Sequence, residues 1–454
     1  MASTRLHRTP SSSSNQVKWT WSGWIKKSTN DASGCLFCAF TDVNNYTELD
    51  AGSNQIDYYN VTGGGVDARL TTSAYLNDPT AWYHIVVVWD TANVTADDRM
   101  KVYINGVDQT EFSARSNPSS SLNSTMNSTA PQEIGARAIG STTFFNGLMA
   151  HVHFCDGYAY AASDFGETDS TSGIWVANSA PSVSYGTNGY FLKFASGASG
   201  TDSSGEGNNM TVVGNLTNNK DNPDNNFATW NPLYMPHTGV DPVFSNGNTT
   251  VVTQDNASDY LGGFSTLGMS SGKWYAEFKA VTTNNYPLIG ITQSPMEHQY
   301  NEDWLGNDLY DYGYIYNGNT VTNGVADVGW GAGYSAGDIV MVAVDLDNNK
   351  LYFGANGTWA NSGDPTSGAT GTGALSITSI AASTPGVAAS GWYHFACSDQ
   401  GTGPDTVDAN FGNGYFGTTA VSTSESDDAG IGSFEYDVPT GYYTLCTNNL
   451  GDQS

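Results

Sequence analysis

The chain has 454 residues and carries 44 Asp and Glu against 15 Lys and Arg, for a formal net charge of −29 at pH 7. This excess of negative charge repels phosphate backbones and anionic lipid headgroups, which excludes nucleic acids and membrane surfaces as natural partners. No apolar run approaches the roughly 18 residues of a membrane-spanning helix, and residues 1–10 lack the apolar core of a signal peptide, so we expect synthesis in a cytoplasm without secretion.

Short runs rich in Val, Ile, Tyr and Trp alternate with turn residues along the whole sequence, which contains 52 Gly and 12% aromatic residues. Sustained helical periodicity is missing. This pattern is typical of all-β proteins, and the length suits more than one domain. We therefore predict two antiparallel β-sandwich (jelly-roll) domains in tandem, over residues 1–220 and 247–454, joined by an extended connection over residues 221–246.

Two copies of one motif support this division. In each copy an apolar strand ends in Asp, and the strand that follows it ends in Asn-Gly. The first is residues 85–90 (IVVVWD) followed by 100–106 (MKVYING), and the second is residues 339–347 (IVMVAVDLD) followed by 350–357 (KLYFGANG). Asn-Gly tolerates positive φ, which suits a tight hairpin turn. Each copy therefore predicts a central hairpin, one for each sandwich.

Alternation along two further strands predicts which side chains face the first core. Trp19 and Trp21 share one face of the opening strand, and Trp24 joins them only if Gly23 marks a bulge. In the strand of residues 144–154, alternation points one set of side chains into the core and a second set toward solvent. The inward set is Leu148, Ala150, Val152 and Phe154, and the outward set is Met149, His151 and His153.

The connection over residues 221–246 contains four prolines, which keep it extended and argue against a helix. Phe227, Trp230, Leu233 and Tyr234 are too apolar for a free linker. We expect the connection to pack along one of the sandwiches.

The N-terminal motifs resemble the laminin-G-like, concanavalin A-like jelly roll. They are residues 82–84 (WYH), 102–106 (VYING) and 145–150 (FNGLMA). The following series resembles jelly-roll virion proteins of tailed, notably marine, bacteriophages. It comprises residues 157–169 (GYAYAASDFGETD), 184–194 (SYGTNGYFLKF), 200–209 (GTDSSGEGNN) and 226–233 (NFATWNPL).

Five elements of the second half resemble the SPRY (B30.2-like) domain, itself a two-sheet sandwich. They are residues 271–278 (SGKWYAEF), 289–291 (IGI), 312–318 (YGYIYNG), the hairpin that begins at residue 337, and 408–412 (DANFG). The ending over residues 439–450 (PTGYYTLCTNNL) is similar to that of bacteriophage copies. These resemblances imply a fold more than an activity, because both folds host many functions.

Candidate chemical motifs are few. Asp345-x-Asp347 is the best carboxylate pair, but its place at a strand end favours a turn-capping role over the paired acids of a glycosidase. His151-x-His153 has metal-like spacing without an identifiable third ligand, so we interpret it as polar surface. The loop of residues 92–99, with Asp97 and Asp98, could hold calcium, as some laminin-G-like domains do. We therefore expect no catalytic residues, no metal site and no cofactor, with calcium as the open alternative.

The cysteines, Cys35, Cys38, Cys155, Cys397 and Cys446, do not have the spacing of a disulfide framework. Cys35-x-x-Cys38 lies in a predicted strand, where residues three apart point to opposite faces. We interpret all five as buried free thiols of a reducing compartment.

One polar inter-strand segment combines aromatic rings with carboxylates and amides, the groups that bind sugars by stacking and hydrogen bonding. Loops between sandwich strands commonly carry binding sites. The predicted ligand-binding residues are Asp303, Trp304, Asn307, Asp308, Tyr310 and Asp311. The alternative is that Trp304 plugs the end of the second sandwich.

These observations favour a non-enzymatic virion surface protein that binds a host-surface glycan or receptor, as a tail-fibre-like adhesin does. The alternatives are a structural decoration protein of a capsid or tail and a polysaccharide depolymerase. The resemblance implies other virion proteins as partners, a homo-oligomer because virion positions are symmetric, and a location on the virion surface.

Overall fold

A computed structural model describes most of the chain, which divides into two compact units. Unit 1 comprises Met1–Asn218 and Asn222–Asp224, and unit 2 comprises Asn219–Asp221 and Asn225–Ser454. The described residues are 4–29, 34–137, 143–195, 199–233, 241–253, 262–284, 286–293, 295, 304–383, 390–401 and 403–453. Within them, no helix has the length and apolar character needed to cross a membrane.

Unit 1 is built from antiparallel strands. In chain order they are β1 (Arg5–Arg8), β2 (Lys18–Lys27), β3 (Cys35–Asp42), β4 (Asn45–Asp50), β5 (Asp57–Thr62), β6 (Gly65–Thr72), β7 (Trp82–Asp90), β8 (Met100–Ile104), β9 (Val107–Asp108), β10 (Phe112–Ser116), β11 (Gln132–Ile134), β12 (Ala136–Arg137), β13 (Thr143–Phe144), β14 (Gly147–Asp156), β15 (Gly166–Thr168), β16 (Trp175–Ala177), β17 (Tyr190–Leu192) and β18 (Thr211–Val213). Among the described residues one sheet has the order β10-β6-β5-β4-β3-β11-β1-β18 and a second β17-β14-β2-β7-β8-β9. Two small hairpins, β12-β13 and β15-β16, complete the unit.

The two large sheets of unit 1 enclose an aromatic core that includes Trp19, Trp21, Tyr58, Trp89 and Phe154. The inward positions of Trp19 and Trp21 are therefore confirmed. The first predicted hairpin is also confirmed, because β7 pairs antiparallel with β8. Its Asn105-Gly106 turn, with φ of 48° and 81°, leads into β9.

The face of Trp24 depends on whether the bulge near Gly23 lies in β2 itself or in the neighbouring strand β14. β2 pairs with β7 without interruption, so Trp24 stays on the outer face, where it stacks on His84 with ring centroids 4.9 Å apart. In β14, two residues, His151 and Val152, lie opposite the single Gly23. His151 has a φ of 47°, as a bulge residue can.

This bulge shifts the alternation of β14 and corrects two predictions. Met149, expected to face solvent, packs against the core, as do Val152 and Phe154 beyond the bulge. His153 does lie on the opposite face, but it is 1% exposed because another part of the chain covers it. Interpreting His153 as polar surface was therefore wrong.

A second bulge corrects the prediction for Cys35 and Cys38. The register of β3 against β4 shifts between Cys35 and Phe37, so the extra residue brings both thiols to one face. There they form a small buried cluster with Phe40, and the Cys38 thiol donates a hydrogen bond to Ala136 O at 3.4 Å. Burial, the largest cause, raises the pKa of the Cys35 thiol. All five cysteines are buried and free, as predicted.

Unit 2 is a second two-sheet structure. Its strands are β19 (Val243–Ser245), β20 (Thr250–Val252), β21 (Gly263–Phe264), β22 (Lys273–Ala280), β23 (Leu288–Thr292), β24 (Asp311–Ile315), β25 (Thr320–Thr322), β26 (Val325–Asp327), β27 (Ile339–Asp345), β28 (Lys350–Ala355), β29 (Thr358–Trp359), β30 (Leu375–Ser376), β31 (His394–Ser398), β32 (Thr406–Asn410), β33 (Tyr415–Phe416), β34 (Thr419–Ala420) and β35 (Tyr443–Thr444). One sheet has the order β19-β20-β32-β22-β27-β28-β29, with β30 beside β28 and β35 beside β22, and the other β21-β31-β23-β24-β25-β26. A short helix, α1 (Thr447–Asp452), ends the described chain.

The core of unit 2 lies between these sheets and includes Trp230, Trp274, Phe278 and Phe353. The second predicted hairpin is confirmed, because β27 and β28 pair and Asn356-Gly357, with φ of 48° and 80°, leads into β29. The fold is thus all-β with tandem sandwiches, as predicted.

The apolar residues of the expected connection are not a free linker. Trp230 is fully buried in the core of unit 2, and Phe227 is 2% exposed. Leu233 is half exposed, and Tyr234 lies outside the described residues. Residues 227–230 therefore belong to unit 2.

Candidate functional site

The outer face of the β17-β14-β2-β7-β8-β9 sheet is covered by the chain that runs from β14 to β17. We call residues 157–189 the cover segment. Its Ala162, Phe165 and Tyr185 pack on Val86 of β7 and Phe191 of β17 to form a second small core. The sheet is therefore buried on both faces, which the alternation of a single strand could not predict.

Several polar side chains of the sheet beneath the cover segment hydrogen-bond to one another or to the segment. His84 Nε2 lies 2.9 Å from Ser22 Oγ, and Trp175 Nε1 donates a hydrogen bond to His84 Nδ1 at 3.0 Å. Burial, the largest cause, lowers the pKa of His84 to about 3. His153 Nδ1 lies 2.9 Å from the hydroxyl of Tyr185.

The Ser22–His84 contact resembles half of a hydrolase triad, but the hydrogen bonds assign it another role. The indole of Trp175 can only donate, so Nδ1 of the neutral His84 must accept. The ring proton then resides on Nε2, which donates to Ser22 Oγ. His84 therefore cannot take a proton from Ser22, and it instead anchors Trp175 of the cover segment.

An open cleft of about 620 Å³ lies at one end of the cover segment, where it meets β17 and the loop that follows. Its walls combine aromatic rings, hydroxyl groups and one charge of each sign. The lining residues are Tyr158, Ser179, Ala180, Pro181, Val183, Ser184, Tyr185, Gly186, Phe191, Lys193, Ser203, Ser204 and Glu206. Glu206 is the one carboxylate among the described residues that line the cleft.

Tyr158 presents an aromatic ring to solvent in this cleft. Its side chain is 41% exposed and stacks on Tyr160, with ring centroids 5.7 Å apart and planes 15° from parallel. Thr20 of β2 fixes the backbone between them, because its hydroxyl donates to Tyr158 O and accepts from Tyr160 N, each at 2.9 Å. The exposed ring is therefore held in place by the sheet beneath it.

Asp202 organises the opposite wall. Its carboxylate accepts hydrogen bonds from Phe191 N, Ser204 N, Ser204 Oγ and Asn208 N, at 2.8–2.9 Å. These bonds fold residues 202–208 into a compact loop attached to β17. Ser203, Ser204 and Glu206 are thus presented to the cleft on a structured loop.

The floor of the cleft is a stack of rings. Phe191 packs on the buried ring of His153 with centroids 3.9 Å apart and lies parallel to Tyr185 within 4°. The Lys193 ammonium lies 5.3 Å from the centroid of Phe191, a cation–π distance. Burial, the largest cause, lowers the pKa of His153 well below its usual range, which leaves the floor neutral.

The sequence-predicted site lies in unit 2. Asp303 lies outside the described residues. Trp304 is half-buried against the cluster around Leu305, which is separate from the core between the sheets. Asn307 and Asp308 are half-buried in a turn, where Asn307 N donates to Trp304 O at 3.0 Å.

The last two residues of that predicted site are not presented to solvent. Tyr310 is 6% exposed, and Asp311 is fully buried at the start of β24. Asp311 Oδ1 accepts a hydrogen bond from Thr292 Oγ1 at 2.6 Å. Ligand binding by the predicted site stays a prediction for all six of its residues.

The other candidate motifs make intramolecular contacts. Asp345 pairs with Lys273 at 3.1 Å and accepts from Asn348 N at 2.9 Å, which is the predicted turn-capping role. In the loop considered for calcium, Asp97 pairs with Arg115 and Asp98 with Lys101, each at 3.1 Å. In the described ranges, no group of three or more His, Cys, Asp or Glu side chains is arranged to hold a metal ion.

Sequence reasoning missed the cleft because its residues are spread over positions 158–206 and converge only in the folded unit. The available signal was the pair Tyr158-x-Tyr160 followed by polar, glycine-rich stretches. Those stretches carried the resemblance to virion proteins but gave no reason to select particular side chains.

Comparisons with known proteins agree with the sandwich fold. Residues 3–163 match a family model described as the Concanavalin A-like lectin/glucanases superfamily. A laminin-G/concanavalin A-like jelly-roll domain thus occupies the first part of the chain, as the resemblance implied. No curated protein matches the chain in sequence.

Solved structures similar to this chain include the SPRY domain of human HERC1, with 16% identity over 37% of this chain and 91% of that one. Stonustoxin matches with 18% identity over 40% of this chain and 27% of its own. A native heptameric SAP-like pentraxin from Limulus polyphemus matches with 16% identity over 39% of this chain and 86% of its own. At a TM-score of 0.28 each, these similarities do not say what this chain binds.

Proposed function

We propose that this chain is a non-enzymatic surface protein of a tailed-bacteriophage virion, and that unit 1 binds a host-surface saccharide in the cleft beside the cover segment. Tyr158 is the observation that carries the proposal. Sugars present an apolar ring face together with many hydroxyl groups, so they are bound by an exposed aromatic ring beside hydrogen-bonding side chains. The lectin/glucanase family match over residues 3–163 supports the same ligand class.

Binding fits the cleft better than hydrolysis. Retaining glycosidases use two carboxyl groups about 5 Å apart, and inverting ones a wider pair. The cleft offers Glu206 alone among its described lining residues. The bacteriophage context rests on the motif series of residues 157–233, and a virion position would bring other virion proteins and symmetry-related copies as partners.

The test is binding of the full chain to an array of defined oligosaccharides, in wild-type form and as Tyr158→Ala. We expect the variant to bind about tenfold more weakly, equivalent to about 1.4 kcal/mol, because the sugar loses its stacking surface. Tyr75→Ala is the matched control, since Tyr75 is also exposed in unit 1 but does not line the cleft.

Two results would refute the proposal. One is an array without any bound saccharide, and the other is equal binding by wild type and Tyr158→Ala. Incubation of the bound saccharides with the chain, followed by a reducing-end assay, separates binding from depolymerisation. New reducing ends would show that the chain is a hydrolase.

A further inference from the structure

Lys193 differs from most of the cations described in unit 1. Most of the others have an ion pair or a hydrogen bond to an acceptor, as Arg5 does with Glu133 at 2.8 Å and Arg115 with Asp97 at 3.1 Å. The described contact of the Lys193 ammonium is the face of Phe191. In a chain with almost three acids for each base, a cation without an acid partner among the described residues needs another explanation.

The surroundings make Lys193 the positive charge of the cleft. His151 and His153 lie within its electrostatic reach, and burial lowers the pKa of both, which keeps them neutral at ordinary pH. Lys193 lines the same cleft as Tyr158, while Glu206 supplies the negative charge of the opposite wall. An ammonium held over an aromatic ring beside an open cleft is available to a ligand anion.

Resting on the proposed function, we infer that the saccharide is acidic. A carboxylate or sulfate substituent of the sugar pairs with the Lys193 ammonium, and the sugar ring stacks on Tyr158. The hydroxyl groups of Ser203 and Ser204 and the carboxylate of Glu206 meet the uncharged hydroxyls. Uronates and sulfated sugars share the chemistry that Lys193 recognises, and the experiment distinguishes them.

The experiment uses the same oligosaccharide array, with uronate, sialylated, sulfated and neutral members, and the variant Lys193→Met. Methionine keeps an apolar stem over Phe191 and removes the charge. We expect acidic members to bind most strongly to the wild type, and Lys193→Met to weaken their binding about threefold to tenfold while neutral members are unaffected. Lys350→Met, which removes the same charge from unit 2, is expected to match the wild type.

Each acidic saccharide that binds is then compared with its neutral counterpart, a methyl ester for a carboxylate and the desulfated form for a sulfate. If wild type binds the neutral counterpart more weakly than the acidic saccharide, and Lys193→Met binds the two equally, the inference is supported and the anion is identified. Preference for neutral saccharides, or acidic binding unchanged in Lys193→Met, overturns the inference and leaves the proposed function standing. If no saccharide binds, the proposed function itself is refuted.

Discussion

Glu277 is a fully buried carboxyl group in unit 2 that is held by hydrogen bonds from four donors. Its Oε1 accepts from the Tyr275 hydroxyl at 3.0 Å and from Tyr436 N at 2.8 Å, and its Oε2 accepts from Glu435 N at 2.9 Å and Asn410 Nδ2 at 3.3 Å. These bonds attach the segment around residue 435 to β22. Desolvation outweighs them and raises the pKa of Glu277 to about 7.

Because the pKa of Glu277 is higher in the folded state than its usual 4.5, the folded state binds the proton more tightly. Its contribution to stability is fully present below about pH 4.5 and is lost as the pH rises through about 7. The loss amounts to about 3 kcal/mol, for a pKa raised from 4.5 to about 7. We expect wild type to lose more thermal stability between pH 5 and pH 8 than Glu277→Gln, measured by calorimetry.

The comparison of pH slopes does not depend on the absolute stability of Glu277→Gln, which is lower because the amide NH₂ meets a backbone donor. Parallel pH profiles for the two proteins would contradict the assignment.

At the scale of secondary-structure elements, β-bulges decide which residues reach the core. The bulge of β14 opposite Gly23 lets Met149 and Phe154 face the same core although they are five residues apart. Without it, strict alternation would turn one half of the strand outward. The bulge in β3 has the same consequence for Cys35 and Cys38.

Deletion of His151 tests this role. Removing the extra residue restores strict alternation, so either Met149 or the pair Val152 and Phe154 must leave the core. We expect a loss of at least about 3 kcal/mol in the free energy of unfolding, comparable to removing a large core side chain. Urea unfolding followed by tryptophan fluorescence measures it.

His151→Gly is the matched control for the deletion, because it keeps the bulge and relieves the φ of 47°. It is expected to stay within about 1 kcal/mol of wild type. Equal stability of the deletion and wild type would show that the bulge does not set the register.

At the scale of the whole molecule, the net charge of −29 acts against compactness through self-repulsion. Salt shortens the Debye length from about 30 Å at 0.01 M to about 3 Å at 1 M. We expect the thermal midpoint at pH 7 to rise by a few degrees over this range, measured by calorimetry. At about pH 4, where many carboxylates are protonated, the rise should be smaller, and an equal rise there would assign the effect to salting-out.

The sequence alone determined the fold class, the two hairpins with their Asn-Gly turns, the inward faces of Trp19 and Trp21, and the capping role of Asp345. These are local properties, since strand alternation and turn preference depend on neighbours a few residues away. Only the tertiary structure decided the burial of His153 under the cover segment, the clustering of the Cys35 and Cys38 thiols on one face, the burial of Tyr310 and Asp311, and the cleft around Tyr158. Bulges and contacts between distant segments produce these features. The alternation of inward and outward side chains along one strand does not predict which other part of the chain packs against that strand.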